Sequence, residues 1–257
     1  MVKYFIGGKE YAPGDYAKKR PGADRLADRY IADMEKSPDR MRRSFSQVNI
    51  PPSVCFSRKI GVGALEIADI VAEETGLRVV DREILEHIAT SGELVQKTVE
   101  AFEGKQPGRL REFLSAIYGE KSFAENEYAR QLFSTVFSLA GMGSTIFVGR
   151  GTHLMLPRER VLAVRVIASD SFRVKRLAEA LSVDEQAAAE KLAQIDGEQD
   201  EYFRKIFRLE AASPYEFDLV INRDHLRPPA LAARLVSTAF RQKFGLASSG
   251  GVGEPKS

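Results

Sequence analysis

The chain is short of the residues that would open several routes to function. It has one cysteine, Cys55, so no internal disulfide can form, and the composition suits a reducing, cytoplasmic setting. Its three histidines, His87, His153 and His225, stand far apart in sequence, and no Cys/His spacing suggests zinc. No apolar run approaches the roughly 20 residues that span a bilayer. The opening "MVKYFIGGKEYAPGDY" lacks the apolar core of a secretion signal. A formal net charge of only +2 demands neither nucleic acid nor an anionic membrane as partner. What is present is a globular composition, 44% hydrophobic and 29% charged, in 257 residues, enough for one large domain with appendages.

Three stretches differ in character, and the expected boundaries follow them. Residues 1–50 form a charged extension. Leu26, Tyr30 and Met34 recur at helical spacing, which predicts a helix over 23–36 that Pro38 ends. Lys18, Lys19, Arg20, Arg40, Arg42 and Arg43 could touch a polyanion, but a solvated face is the ordinary reading. Residues 247–257, "ASSGGVGEPKS", have the composition of disorder. Between them, over 51–246, strand and helix patterns alternate. Strands are predicted at 53–57, 77–81, 144–149, 161–169 and 216–222. Helices are predicted at 63–76, through much of the segment to about 140, over "SFRVKRLAEAL", and over "SVDEQAAAEKLAQI" with a capping box from Ser182 to Glu185. "PPALAARLVSTAFRQKF" closes the domain as a helix with proline at its start. Short apolar strands between helices predict an α/β fold of three layers, α/β/α, around a parallel sheet of five strands.

In such sheets ligands bind beyond the carboxyl ends of the strands, so the residues found there are the informative ones. The first strand runs into "RKIGVGA", the second into "DREI", the third into "GRGT", the fourth into "SDSFRVKR" and the fifth into "NRDH". Arginine follows four of these ends closely, and Arg173, Lys175 and Arg176 lie on the helix beyond the fourth. A cationic rim beside a glycine loop and a helix N-terminus suits a multiply charged anion such as nucleotide phosphates. Taken singly, each feature has a plainer reading. Gly61 and Gly63 could merely allow a tight turn, Asp81 and Arg82 could be a surface ion pair, and Arg173 and Arg176 could be solvated.

Taken together, these motifs resemble a known family. "SRKIGVGALEIADIVAEETGLRVVDREILEHIA" is similar to the opening of the cytidylate kinase-like family, which reads S-R-E-[FY]-G-S-G-G-R-E-I-A and then Y-D-R-E-I. "IFVGRGTHLML", "VRVIASDSFRVKRLAEALSVDEQAAAEKLAQID" and "EFDLVIN" match its later strands and lid, so the resemblance covers roughly residues 53–244. It implies a nucleoside monophosphate kinase of P-loop type, with a helical lid, a monophosphate-binding segment, and ATP and Mg2+ as cofactors. The ligands implied are ATP and CMP or a similar nucleotide. Ile60, Gly61, Val62, Gly63, Ala64 and Leu65 would then cradle the ATP phosphates. Asp81, Arg82, Gly149, Arg150 and Gly151 would meet the acceptor. Arg58, Lys59, Arg150, Arg173 and Arg176 would carry catalysis, and Asp196, Arg204 and Arg208 would belong to the lid. No residue set is predicted to hold a metal on its own.

The chain also departs from that pattern. The Walker consensus G-x-x-x-x-G-K-[ST] fails at Ala64 and Leu65, which offer neither the lysine nor the hydroxyl. Lys59 stands where the family has an acidic residue, and with Arg58 it is expected to return a cation to the loop. The lid's D-x-x-R becomes Asp196 followed by Gln199, and Arg204 or Arg208 is expected to substitute. Three functions are consistent with this: a pyrimidine monophosphate kinase, a nucleotide-binding module with little activity, and a phosphotransferase with another acceptor.

Overall fold

A computed structural model describes residues 4–11, 21–36, 50–104, 107–112, 127–210 and 212–246. The six basic residues of the extension named above, the tail from 247 and part of the "RLREFLSAIYG" helix lie outside the described residues. The described chain runs β1 Tyr4–Ile6, β2 Lys9–Tyr11, α1 Ala23–Lys36, β3 Ser53–Arg58, α2 Ala64–Thr75, β4 Arg78–Asp81, α3 Arg82–Thr90, α4 Gly92–Glu103, α5 Glu127–Met142, β5 Thr145–Val148, β6 Val161–Ile167, α6 Asp170–Leu181, α7 Glu185–Phe207, β7 Leu219–Asn222 and α8 Pro229–Phe244.

Five of these strands form one parallel sheet in the order β4-β5-β3-β6-β7. β3 sits at the centre because Ser53–Ser57 are apolar or small on both faces and the whole strand is buried. Side chains alternate along it, so Val54 and Phe56 face one layer and Cys55 faces the other. The first layer is α2 and α8, whose Ile67, Val71, Val236 and Phe240 pack on Val54, Val164 and Ile221. The second holds α1, α3, α4 and α5, with Phe102, Phe133 and Phe137 against Cys55, Val80 and Phe147. Burial among these groups pushes the Cys55 thiol up to about 12, so it packs as a small apolar side chain.

A third, smaller core lies above the strand ends. Tyr4, Ile6 and Tyr11 of the β1–β2 hairpin pack on Ile60, on Leu177 and Ala178 of α6, and on Ala188, Leu192 and Ile195 of α7. The two-residue turn of that hairpin is Gly7–Gly8, both at positive φ, the conformation such tight hairpins need. A Cβ at Gly7 would come within 2.6 Å of Val183, so glycine there also lets the hairpin settle on the α6–α7 connection. Sequence patterning gave no hairpin in the extension.

Two smaller corrections concern local chemistry. α7 is capped by Asp184, whose carboxylate accepts from Ala187 N at 2.8 Å, and not by Ser182. Ser182 closes the preceding helix in a left-handed conformation at φ 51°, which removes it from capping reach. The last strand is shorter than predicted, because Pro214–Glu216 coils into a 3-10 turn before β7 begins.

Candidate active site

β3 and β6 are neighbours whose connections leave in opposite directions, which opens a crevice between them at their carboxyl ends. The loop from Lys59 to Gly63 lies in that crevice. Gly61 (φ 87°) and Gly63 (φ 76°) are both left-handed, as the sequence requires of a tight strand-to-helix loop. A Cβ at Gly61 would stand 3.1 Å from the Arg173 Cβ and carbonyl oxygen, so glycine also allows the loop to touch α6. Gly63 is the N-cap of α2, and no side chain caps that helix. The first amides of α2 therefore face the crevice without an intrahelical partner. A cleft of about 490 Å3 opens here, lined by Gly61, Gly63, Ala64, Leu65, Glu66 and Arg176, with Tyr11 of the hairpin at its edge.

The loop is fastened from behind. Arg173 is only 2% exposed. Its Nε donates to the Ile60 carbonyl at 2.7 Å, and its Nη1 and Nη2 grip Asp196 at 2.8 and 2.7 Å. A further bond reaches Asp170 at 2.8 Å. Burial opposes its charge, but the two carboxylates prevail and hold the guanidinium above its usual range. Lys59 also points at Asp196, with Nζ–Oδ2 at 3.3 Å. Gln199, which stands in the lid pattern where arginine was expected, donates to the Arg58 carbonyl at 2.9 Å. Asp196 and Gln199 thus tie α7 to the loop. The reading of Arg173 as a solvated helix-face cation is overturned: its guanidinium is committed to protein partners. Lys59 is drawn to the same carboxylate but stays partly exposed and lines the loop cleft. Arg204 and Arg208, proposed as substitutes for a lid arginine, are both exposed, and neither lines the clefts described here.

Arg58 turns the other way. Its guanidinium runs beneath Gly149, where a Cβ would lie 3.6 Å from its Nη2. It enters a second, tight cavity of about 40 Å3, lined by Arg58, Arg82, Arg150, Gly149, Gly151 and, from α7, Glu198, Gln199 and Tyr202. Burial and then the charges of Arg82 and Arg150 push the Arg58 guanidinium down to about 10. Three guanidiniums that meet at the end of a sheet raise one another's cost, and an anion relieves it.

Arg150 is held in position by several partners. It is a non-glycine residue at φ 55°, between Gly149 and Gly151, both also at positive φ. Strain of that kind costs about 1–3 kcal/mol and concentrates at functional sites. Its guanidinium pairs with Glu86 of α3, and its Cζ lies 4.3 Å above the Tyr202 ring. Tyr128 donates to the same Glu86 at 2.7 Å, and Tyr202 donates to the Arg150 carbonyl at 3.2 Å. Gly151 has its own reason to be glycine, since a Cβ there would come within 2.5 Å of Phe207 of α7. Asp81 lies at the N-terminus of α3 and accepts from Ile84 N at 3.0 Å, which fixes where Arg82 begins.

The family model described as the cytidylate kinase-like family matches residues 53–225. The chain belongs to the cytidylate kinase-like family. The match spans the glycine loop, the Gly149–Gly151 strand end, α6 and α7, and leaves the hairpin, α1 and α8 outside it. An uncharacterized protein from Eubacterium ventriosum has the same fold, at a TM-score of 0.57 and 16% identity, over 74% of this chain and 98% of that one. A shikimate kinase from Bacteroides thetaiotaomicron is more distant, at a TM-score of 0.37 and 9% identity over 76% of this chain and 99% of its own. No curated protein sequence matches the chain.

Several site residues were not singled out from sequence: Tyr4, Tyr11, Glu66, Glu86, Glu198 and Tyr202. The hairpin had a legible signal, Gly-Gly between "YFI" and "KEY". The carboxylates had none, because each is defined by a partner far along the chain. Among the described residues no three His, Cys, Asp or Glu side chains gather to hold a metal, and no helix is long and apolar enough to cross a membrane.

Proposed function

We propose that the chain is an ATP-dependent kinase that passes the γ-phosphoryl group to a pyrimidine nucleoside monophosphate, with CMP as the acceptor. The carrying observation is that Arg58 lines both clefts, the wide one over the glycine loop and the tight one among the arginines. A donor held by the loop and an acceptor phosphate held by Arg58, Arg82 and Arg150 would meet beside that residue. Phosphoryl transfer asks chiefly for this kind of positioning and charge neutralisation.

In this reading the α2 amides and the glycine backbone hold the donor phosphates. Arg150, oriented by Glu86 and Tyr202, directs the acceptor, and Arg58 faces the charge that moves between them. The arginine cavity, at about 40 Å3, holds little more than water, so α7 must swing out to admit a nucleotide and return to exclude water. Magnesium would neutralise the donor phosphates. With Leu65 in place of a hydroxyl, Glu66 and Glu179 are the carboxylates that line the loop cleft, and the residues fit an ion carried mainly by phosphates and water.

A second reading, nucleotide binding without turnover, is favoured by the pairing of Lys59 and Arg173 with Asp196. One experiment separates the two. Protein, ATP and magnesium are mixed with each nucleoside monophosphate in turn, and ADP is followed. Thermal shifts with ATP and with CMP report binding alone. ADP production that depends on CMP supports the kinase. Stabilisation by both ligands without ADP supports the second reading, and silence in both assays removes both.

A further inference from the structure

The loop lacks a lysine at the Walker position, and the two cations expected to serve it, Arg58 and Lys59, line its cleft but also carry contacts elsewhere. Arg58 runs beneath Gly149, and Lys59 faces Asp196. A different cation lies on the loop, and it comes from α6. The guanidinium of Arg176 is laid across Gly63, where a Cβ would stand 3.1 Å from its Cζ and Nη2 and 3.3 Å from its Nε. Gly63 caps α2, so this cation sits at the positive end of a helix, where the helix dipole and the unpaired amides favour the opposite charge. Arg223, itself buried, lines a neighbouring cleft together with Arg176, and burial and then the charge of Arg176 push its guanidinium down. One contact compensates: Arg176 Nη2 donates to Glu66 Oε2 at 2.6 Å. Glu66 belongs to the first turn of the same helix, and both side chains are partly exposed and line the loop cleft.

We infer that Arg176 stands in, from the neighbouring helix, for the missing loop lysine, and that Glu66 is its resting counter-ion, displaced when a polyphosphate binds. The inference rests on the loop cleft being the donor site. It explains why a cation is parked against helix-end amides, which is unfavourable until an anion arrives. A polyphosphate satisfies the amides and the guanidinium together, whereas Glu66 satisfies only the guanidinium. Partly exposed ion pairs contribute little, so the exchange costs little. Gly63 is needed for its left-handed turn, and a Cβ there would also press on the guanidinium.

The test is calorimetric titration of the full chain with inorganic tripolyphosphate and with ATP. Chelator is present and magnesium absent, so that the pair alone is read. Arg176→Ala is expected to weaken both ligands by about 10- to 100-fold, the range for a hydrogen bond to a charged group. Arg176→Lys should recover part of that as a point charge without the fork. Glu66→Gln should tighten both by roughly two- to fivefold, because the competitor is gone. A merely structural ion pair would move the two single variants in the same direction. Circular dichroism melts confirm folding, and if Arg176→Ala does not fold, Arg176→Lys and Glu66→Gln carry the test. Unchanged affinity in the arginine variants, or weaker binding in Glu66→Gln, overturns the inference. Failure of the natural chain to bind either polyphosphate overturns it together with the donor-site reading. Arginine-dependent binding without phosphoryl transfer to any monophosphate would overturn the kinase and leave Arg176 in its role.

Discussion

The two clefts that share Arg58 are built on opposite plans. The loop cleft is roomy, about 490 Å3, and two of the cations that line it are paired, Lys59 with Asp196 and Arg176 with Glu66, with Arg173 buried behind the loop. The arginine cavity is about 40 Å3, and its cations crowd one another until Arg58 is held down to about 10. The first is a site made of backbone, with glycines and helix-end amides that need space for an anion to reach them. The second is a site made of side-chain charge, with the space closed by a helix. The glycine loop keeps its shape with fasteners from α6 and α7, whereas the arginine side keeps its charge and gives up its room.

The largest expected effect tests whether those fasteners hold the loop. Arg173→Ala removes the clamp on the Ile60 carbonyl and leaves Asp196 facing Lys59 alone. Breaking a buried pair from one side costs about 3–5 kcal/mol, to be read from urea unfolding. Arg173→Lys should recover little, because lysine cannot hold a carboxylate by two parallel bonds and also reach a carbonyl. A loss below about 1 kcal/mol, the range of a solvated pair, would mean that the loop is kept by its glycines and not by α6.

The next effect tests whether the clefts are separate sites. Arg150→Ala should weaken CMP by about 10- to 100-fold and leave tripolyphosphate affinity as it was, measured by titration. Equal losses for both ligands would merge the two clefts into one. The contrast is sharp because Arg150 pairs with Glu86 of α3 and lies over the Tyr202 ring of α7, and it does not line the loop cleft.

The sheet and the chemistry at its edge were legible in sequence for a physical reason. Val54, Phe56, Val164 and Val166 are buried strand residues, and the residues that follow them must face any ligand of such a sheet. Which way each guanidinium turns was not legible. Arg58 and Arg173 look alike as strand-end and helix-face cations, yet one points into a cavity and the other under a loop. Partners 113 and 23 residues away settle the direction of Arg173. The missing lid arginine was visible, but the use of Gln199 was not, because its acceptor is the Arg58 carbonyl, 141 residues distant. The Ser182 capping box failed because Asp184 competes for the same helix start and wins once Ser182 is left-handed.

The smallest effect concerns the hairpin, which lies outside the family match and yet touches both clefts, through Tyr4 in the arginine cavity and Tyr11 beside the loop. Tyr4 donates to Glu198 Oε2 at 2.7 Å and so ties the hairpin to α7. Burial, then this bond, raises the Tyr4 phenol, and the bond is the first cause that holds the Glu198 carboxyl below its usual range. Tyr4→Phe keeps the ring in its apolar contacts and removes only the hydroxyl, so the loss should be about 1 kcal/mol, a few degrees in Tm. The sign of its pH dependence follows from Glu198. A carboxyl whose folded pKa is depressed adds stability above its ordinary value of 4.5 and loses it as pH falls through the folded value. The gap between the natural chain and Tyr4→Phe should therefore be full at neutral pH and narrow in acid below about 4.5, as the bond loses its charge. A gap that stays constant through that range would mean that Tyr4, Ile6 and Tyr11 hold α7 by apolar contact alone, and that the hydroxyl in the arginine cavity is incidental to that hold.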